Sequence, residues 1–153
     1  MKYIYLTNEF YEKYKDCKEI EKKETRPYAM VLTRIDDVTW AVPLRSNIPH
    51  KYVIWSDKPN KCGLDLSKAV VIEDVTYISE QDAQIRQNEF NELKGKEHIL
   101  YTKLKSYMNT YLKAYARQDI KRNRELCQFS TLQYFHKYIK AFKQTDAGEA
   151  AME

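Results

Sequence analysis

A β-hairpin is the element that the sequence specifies most firmly. Residues 28–44 read YAMVLTRIDDVTWAVPL, and two runs rich in strand-forming residues flank the pair Asp36-Asp37. Such runs favour β-strands, and aspartate is common in the tight turns that join antiparallel neighbours. Three further runs have the same character: KYIYLT at 2–7, KYVIW at 51–55 and AVVIEDVTYI at 69–78. We therefore expect a small, barrel-like antiparallel sheet, with Gly63 and residues 57–60 in a connecting loop.

Helical patterns occupy other parts of the chain. Asn8 is a candidate N-cap for the run NEFYEKYKDCKEIEKK, and Ser79 is one for a helical region from Glu80 onward, which Gly95 interrupts. Residues 132–142, LQYFHKYIKAF, also have helical spacing. A further apolar stripe recurs at steps of three and four residues: Leu100, Leu104, Tyr107, Met108, Tyr111 and Leu112. The sequence predicts one α+β domain over 1–153, with a strand-rich core at about 1–79 and helices at about 80–143.

The predicted helical part is strongly basic. Residues 94–143 contain 12 Lys or Arg and 3 acidic residues, whereas the whole chain has a net charge of only +4. Six tyrosines lie within this segment: Tyr101, Tyr107, Tyr111, Tyr115, Tyr134 and Tyr138. Cations neutralise phosphates and aromatic rings stack on bases, so the pattern indicates a nucleic acid or another polyanion as partner. The cations expected to contact RNA are Lys103, Lys113, Arg117, Lys121, Arg122 and Arg124.

Several function classes are disfavoured by what the sequence lacks. With three glycines, the chain has neither a phosphate-binding glycine loop nor a dinucleotide fingerprint. His50, His98 and His136 have no metal-ligand spacing, and the three cysteines form no CxxC pair. We expect no metal and no cofactor. Since no signal peptide and no apolar run of about 20 residues occur, a cytoplasmic location is expected.

The stretch PLRSNIPHK at 43–51 is the candidate site. It follows a predicted strand and concentrates two prolines with Arg45, Ser46, His50 and Lys51. Cleavage of RNA through its 2′-hydroxyl needs a base, an acid and groups that stabilise the charge developing on the phosphate. Ser46 can donate a hydrogen bond, Arg45 or Lys51 can offset charge, and histidine titrates near neutrality. Plain structural connection is the alternative explanation for a polar, proline-containing loop.

The order of these motifs resembles a known family. KYIYLTNEFYEKY, RPYAMVL, TWAVPLRSNIPHK and LDLSKAVVIEDVTYI before basic helices are similar to the toxins of type III toxin–antitoxin systems, the ToxN, AbiQ, TenpN and CptN group, and most of all to its CptN-like branch. The resemblance covers most of residues 1–143. It implies a metal-independent, sequence-selective endoribonuclease on an SH3-like barrel related to MazF and Kid, with added helices. It also implies inhibition by a small pseudoknot RNA cut from a repeat precursor, closed toxin–RNA assemblies and, in some members, phage defence.

The resemblance also implies roles for particular residues. The serine after the strand corresponds to Ser46, and the catalytic lysine that often follows it closely corresponds to Lys51, although Arg45 or His50 could share that role. A basic residue and a tyrosine before the second strand correspond to Arg26 and Tyr28. Two positions are further candidates, Lys68 for RNA binding and Tyr11 as a weaker one.

Two other functions fit the same basic helices. A non-catalytic nucleic-acid-binding regulator would use the cations without needing the PLRSNIPHK loop. A protein-interaction module would present the Lys/Tyr helices to an acidic partner.

Overall fold

A computed structural model describes residues 1–21 and 27–139 of the chain. These residues form an α+β fold, which confirms the predicted class. The strands are β1 (Tyr3–Leu6), β2 (Met30–Ile35), β3 (Val38–Arg45), β4 (Val53–Asp57), β5 (Cys62–Asp65), β6 (Val70–Val71) and β7 (Ile78–Asp82). The α-helices are α1 (Asn8–Lys13), α2 (Gln87–Leu93), α3 (Glu97–Ala116) and α4 (Lys121–Phe129). Short 3-10 turns include Leu66–Lys68, Thr131–Tyr134 and His136–Tyr138.

All the strand pairs are antiparallel and form one sheet in the order β4-β5-β3-β2-β1-β7, with β6 also paired to β3. The sheet described is open, with β4 and β7 at its two edges. The predicted hairpin is confirmed: β2 pairs with β3, with Ile35 opposite Val38. Asp36 and Asp37 have φ of 50° and 66°, which is the left-handed geometry of a two-residue type I′ turn.

Three segments differ from the sequence expectation. The run at 69–78, expected as a strand, forms only the two-residue β6 and a 3-10 turn at Val75–Tyr77 before β7 begins. Residues around Gly63, expected in a loop, form β5, which lies between β4 and β3. A Cβ at Gly63 would overlap the backbone of Ile54 and lie 2.8 Å from Val53 Cγ2, so glycine permits the close approach of β4. Ser79, expected to cap a helix, lies within β7, which pairs with β1. The helix starts only at Gln87.

The first helix is much shorter than the predicted run of residues 8–23, of which 22 and 23 lie outside the described chain. Thr7, rather than Asn8, is the N-cap of α1, and this helix ends at Lys13. Gly95 has a φ of +79° and separates α2 from α3, as expected for a residue that breaks a helix. The segment expected to be helical from residue 132 forms 3-10 turns up to Tyr138, and residues 140–142 lie outside the described chain.

Helix α3 contributes the stripe that the sequence predicted, except that Leu112 is half-buried and Ala114 is buried. Its buried residues are Leu100, Leu104, Tyr107, Met108, Tyr111 and Ala114. Tyr107 and Tyr111 are only 3% and 0% exposed, so their rings belong to the core and not to a base-stacking surface. Within the described chain, no helix is both long and apolar enough to cross a membrane.

An aromatic column connects the N-terminal helix to the last described residues. The ring of Phe135 lies 6.0 Å from that of Trp40 and 5.6 Å from that of Tyr14, measured between centroids. Beside this column, the Glu73 carboxylate accepts hydrogen bonds from Lys13 Nζ (2.5 Å), Tyr14 Oη (2.5 Å) and Tyr138 Oη. Through these hydrogen bonds, Glu73 connects α1 and the C-terminal 3-10 turns to the segment that follows β6.

Replacement of Glu73 by Gln tests how much these hydrogen bonds stabilise the fold. Hydrogen bonds from Lys13, Tyr138 and Tyr14 lower the pKa of Glu73 from 4.5 to about 2. A carboxylate with a lowered pKa stabilises the fold above its unfolded pKa and loses that contribution as pH falls through the folded value. We expect Glu73→Gln to cost about 1 kcal/mol at neutral pH, after allowance for solvent screening.

The pH dependence supplies the control for this substitution. The difference in unfolding free energy between wild type and Glu73→Gln should shrink as pH falls from 4.5 towards 2, measured by urea denaturation. Glu12→Gln, at an exposed carboxylate that pairs with Lys15, should leave the stability nearly unchanged. If the two substitutions change the unfolding free energy equally, the stabilising role of Glu73 is wrong.

Candidate active site

Ser46 and Arg45 lie at one wall of a cleft of about 390 Å³. Arg45 is the last residue of β3, and Ser46 begins the bend that follows it. The polar side chains at the cleft come from four parts of the chain: Tyr5, Tyr28, Arg45, Ser46, Gln84, Arg86 and Glu89. Ser46 is exposed, so its hydroxyl can reach a ligand in the cleft. Three of the residues singled out from the sequence, Tyr28, Arg45 and Ser46, thus come together in one place.

The bend after Ser46 is held by one apolar anchor. Ile48 is 2% exposed, and its backbone N–H donates to the carbonyl oxygen of Lys61 at 3.1 Å. Asn47, with a φ of 56°, adopts the left-handed conformation that turns the chain inward to this anchor. The loop is therefore fixed by packing at Ile48 while Ser46 and Pro49 stay exposed.

A buried carboxylate holds Arg45. Asp65, at the end of β5, is 0% exposed, and its Oδ2 accepts a hydrogen bond from a terminal nitrogen of Arg45 at 2.9 Å. The guanidinium carbon of Arg45 also lies 5.7 Å from the centre of the Tyr28 ring. An arginine fixed from two sides presents its charge in a defined position.

The same carboxylate binds His50. Asp65 Oδ1 lies 3.1 Å from His50 Nε2 and accepts from Ser67 through its N–H (3.0 Å) and its hydroxyl (2.6 Å). His50 Nδ1 accepts the backbone N–H of Tyr52 at 3.0 Å, so the ring proton resides on Nε2 and points at Asp65. Both ring nitrogens are thus engaged within the protein. The structure places His50 in the support of the loop, and a catalytic role for it stays a prediction.

The pKa of Asp65 is set by opposing influences. Burial raises it, but hydrogen bonds from His50 and Ser67 and the charge of Arg45 outweigh burial, and the pKa lies below its ordinary value. Asp65 is therefore the anion that keeps Arg45 and His50 in place.

Lys51 lies elsewhere. It lines a separate groove of about 330 Å³ together with Lys103, Tyr52 and Ser106, and its Nζ is 5.6 Å from the centre of the Tyr52 ring. Neither Lys51 nor His50 is among the described residues that line the cleft at Ser46. The proposed pair of Ser46 and Lys51 therefore does not share a cavity in this structure.

The remaining upstream candidates have different environments. Arg26 lies outside the described residues. Tyr11 is buried, with a pKa raised to about 12, chiefly by burial. Lys68 donates to Glu19 Oε1 (2.9 Å) and to the carbonyl oxygen of Phe129 (2.7 Å), so it joins α4 to the sheet.

The cations predicted to contact RNA are exposed on α3, on α4 and, for Arg117, at the C-cap of α3. Some of them have partners: Arg117 binds Asp119 through two nitrogens at 3.0 Å, Lys121 lies 3.9 Å from Glu125, and Arg124 donates to the carbonyl oxygens of Gln118 and Asp119. Lys103, Lys113 and Arg122 are also exposed. None of these helical cations lines the cleft at Ser46.

Sequence reasoning missed Arg86 and Glu89. They lie at the cleft because α2, which follows β7, packs against β4, where the Ser56 hydroxyl donates to Glu89. The one local signal is their spacing of three residues at a helix start, where an acidic side chain also complements the helix dipole. In the described ranges, no three His, Cys, Asp or Glu side chains come together as potential metal ligands.

Comparison with known proteins gives no relative for this chain. No protein-family model, curated protein or solved structure matches it.

Replacement of Asp65 by Asn tests the support of the loop. The substitution removes the charge that Arg45 faces and places an amide N–H₂ among donors, so we expect a loss of about 3–5 kcal/mol in unfolding free energy. Asp119→Asn, which breaks the exposed pair with Arg117, should leave the unfolding free energy nearly unchanged. Urea denaturation of the two variants measures both values, and a similar small loss in each would show that Asp65 is dispensable.

Proposed function

We propose that the protein is an endoribonuclease that cleaves RNA by attack of the ribose 2′-hydroxyl and leaves a 2′,3′-cyclic phosphate. The observation that carries the proposal is the cleft in which Tyr28, Arg45, Ser46 and Arg86 meet. Such a reaction takes its nucleophile from the substrate, so the protein needs to supply only proton transfer and charge stabilisation. No bound metal is required for either.

The residues of the cleft suit these tasks. Arg45, oriented by Asp65, and Arg86 can offset the charge that develops on the phosphate oxygens. The Ser46 hydroxyl can donate a hydrogen bond to one of these oxygens. The Tyr28 hydroxyl, next to Arg45, can give a proton to the leaving 5′ oxygen.

The biological role that we propose is that of a type III toxin. The order of motifs in the sequence is the support for this part, together with the basic surface on α3 and α4. A small structured RNA antitoxin would inhibit the enzyme by direct binding, within a closed assembly of toxin and RNA. The same proposal includes a relation between the open antiparallel sheet of this protein and the closed SH3-like barrel of MazF and Kid.

The exposed cations suit this RNA partner. Lys103, Lys113 and Arg122 are solvent-accessible on α3 and α4, whereas Tyr107 and Tyr111 are withdrawn into the core. Tyr115, on α3 as well, is 42% exposed, so contacts on this surface should combine ionic contacts to phosphates with those of this exposed aromatic ring. The same observation favours a second candidate function, a nucleic-acid-binding regulator that cuts nothing.

Replacement of Ser46 by Ala tests the enzyme. We expect single-turnover cleavage of RNA in EDTA to fall by about 100-fold or more, since one hydrogen-bond donor to the developing charge is lost. RNA affinity should change little, and growth inhibition by the expressed protein should disappear. Ser106→Ala, an exposed serine on α3, is the matched control and should cut at the wild-type rate.

Each outcome of this experiment has a clear meaning. A fully active Ser46→Ala variant would overturn the site. If the wild-type protein binds RNA but yields no cyclic phosphate, the proposed ribonuclease activity is wrong and the nucleic-acid-binding regulator is the function that remains.

The basic surface is tested by the salt dependence of RNA binding. Arg122→Gln should weaken binding and lower the slope of log K against log salt by about 0.7–0.9, the change for one lost phosphate contact. Arg117→Gln is the matched control, because its guanidinium is already paired with Asp119. Unchanged slopes in both variants would exclude α4 from the RNA interface.

A further inference from the structure

A buried carboxylate in the cleft has no role in the reaction as described so far. Glu89, on α2, is 6% exposed, yet it lines the cavity that Ser46 and Arg45 also line. Its Oε2 accepts a hydrogen bond from Ser56 Oγ at 2.5 Å, and its Oε1 lies 3.9 Å from Arg86 Nε. Burial of a carboxylate is costly, and acids retained in clefts at this cost are common in active sites.

We propose that Glu89 is the general base of this ribonuclease, an inference that rests on the proposed function. The Glu89 carboxylate takes the proton of the ribose 2′-hydroxyl, and the 2′ oxygen forms a bond to phosphorus. The bond between phosphorus and the 5′ oxygen breaks, and the leaving oxygen takes the proton of the Tyr28 hydroxyl. Proton exchange with water then restores both side chains. The products are a 2′,3′-cyclic phosphate and a 5′-hydroxyl end.

Geometry favours Glu89 over the bases suggested by the sequence. Both ring nitrogens of His50 are engaged, by Asp65 and by the N–H of Tyr52, and Lys51 lies in another groove. Among the described residues that line the cleft, Glu89 has the only carboxylate. Ser56 occupies one of its oxygens, and the other lies on the side of Arg86. The cleft of about 390 Å³ has room for the ribose and phosphate of one linkage.

The other titratable groups that face Glu89 are poor bases. Arg86, in the segment before α2, is a cation. Tyr3 on β1 and Cys62 on β5 both have raised pKa values, for which burial is the main cause and the charge of Glu89 the next. The phenol and the thiol therefore keep their protons, and Glu89 is the group in this cluster that can accept one.

The test is the pH dependence of cleavage by Glu89→Gln. Glutamine keeps the size of the side chain and an oxygen for the Ser56 hydrogen bond, but it cannot accept the proton. We expect single-turnover cleavage to fall by about 100-fold or more. The acid limb that a general base gives to the wild-type rate–pH profile should be absent. Affinity for RNA should be equal or higher, since one negative charge has left the cleft.

Two further variants guard against a purely structural effect. Glu89→Asp keeps a base on a shorter arm, so it should cut at an intermediate rate and retain the acid limb. Glu92→Gln removes an exposed carboxylate one turn away on α2, paired with Lys96, and should behave as wild type. An acid limb lost in Glu89→Asp as well, or lost in Glu92→Gln, would overturn the assignment.

The outcomes distinguish a failure of the Glu89 assignment from a failure of the proposed ribonuclease activity. If Ser46→Ala abolishes cleavage while Glu89→Gln cuts at the wild-type rate with its acid limb intact, the enzyme stands and Glu89 is not its base. If the wild-type protein makes no cyclic phosphate, both proposals fail together.

Discussion

The site depends on the buried carboxylate of Asp65. With no exposed surface of its own, it accepts hydrogen bonds from Arg45 at the end of β3, from His50 in the following loop and from Ser67 after β5. A buried anion is stable only with such a complete set of donors, and the donors are in turn fixed by it. The bend that carries Ser46 is therefore held on both sides, by Arg45 and His50 at Asp65, with Ile48 as its apolar anchor.

This network separates the polar residues of the loop into two groups. His50 is turned inward to Asp65, whereas Ser46 faces the cleft and Lys51 lines the groove beside α3. Residues that are close in sequence thus act in different places. The chemistry that we propose draws its remaining groups from distant segments: Tyr28 before β2, and Glu89 on α2.

The basic half of the chain also has two faces. Tyr107 and Tyr111 supply large rings to the core, while the lysines and arginines of the same helices are exposed. A helix that buries its tyrosines can have the same composition as a helix that exposes them for stacking on bases. Composition cannot distinguish the two, because the helical period of 3.6 residues decides which side chains face the solvent. Composition therefore pointed to a polyanion partner for the cations, but it assigned the wrong surroundings to these two tyrosines.

Local sequence determined the β2–β3 hairpin, the break at Gly95 and the buried stripe of α3, since turn chemistry and apolar period act over a few residues. It did not determine β5, where Gly63 has poor strand propensity and is required by the close approach of Ile54 in another strand. Nor did it determine β7, which is a strand because β1 supplies its partner. The place of Glu89 at the cleft of Ser46 follows from the packing of α2 on β4, where Ser56 donates to the Glu89 carboxylate. Such a contact is a property of the folded sheet alone, because no local signal records which distant segments become neighbours.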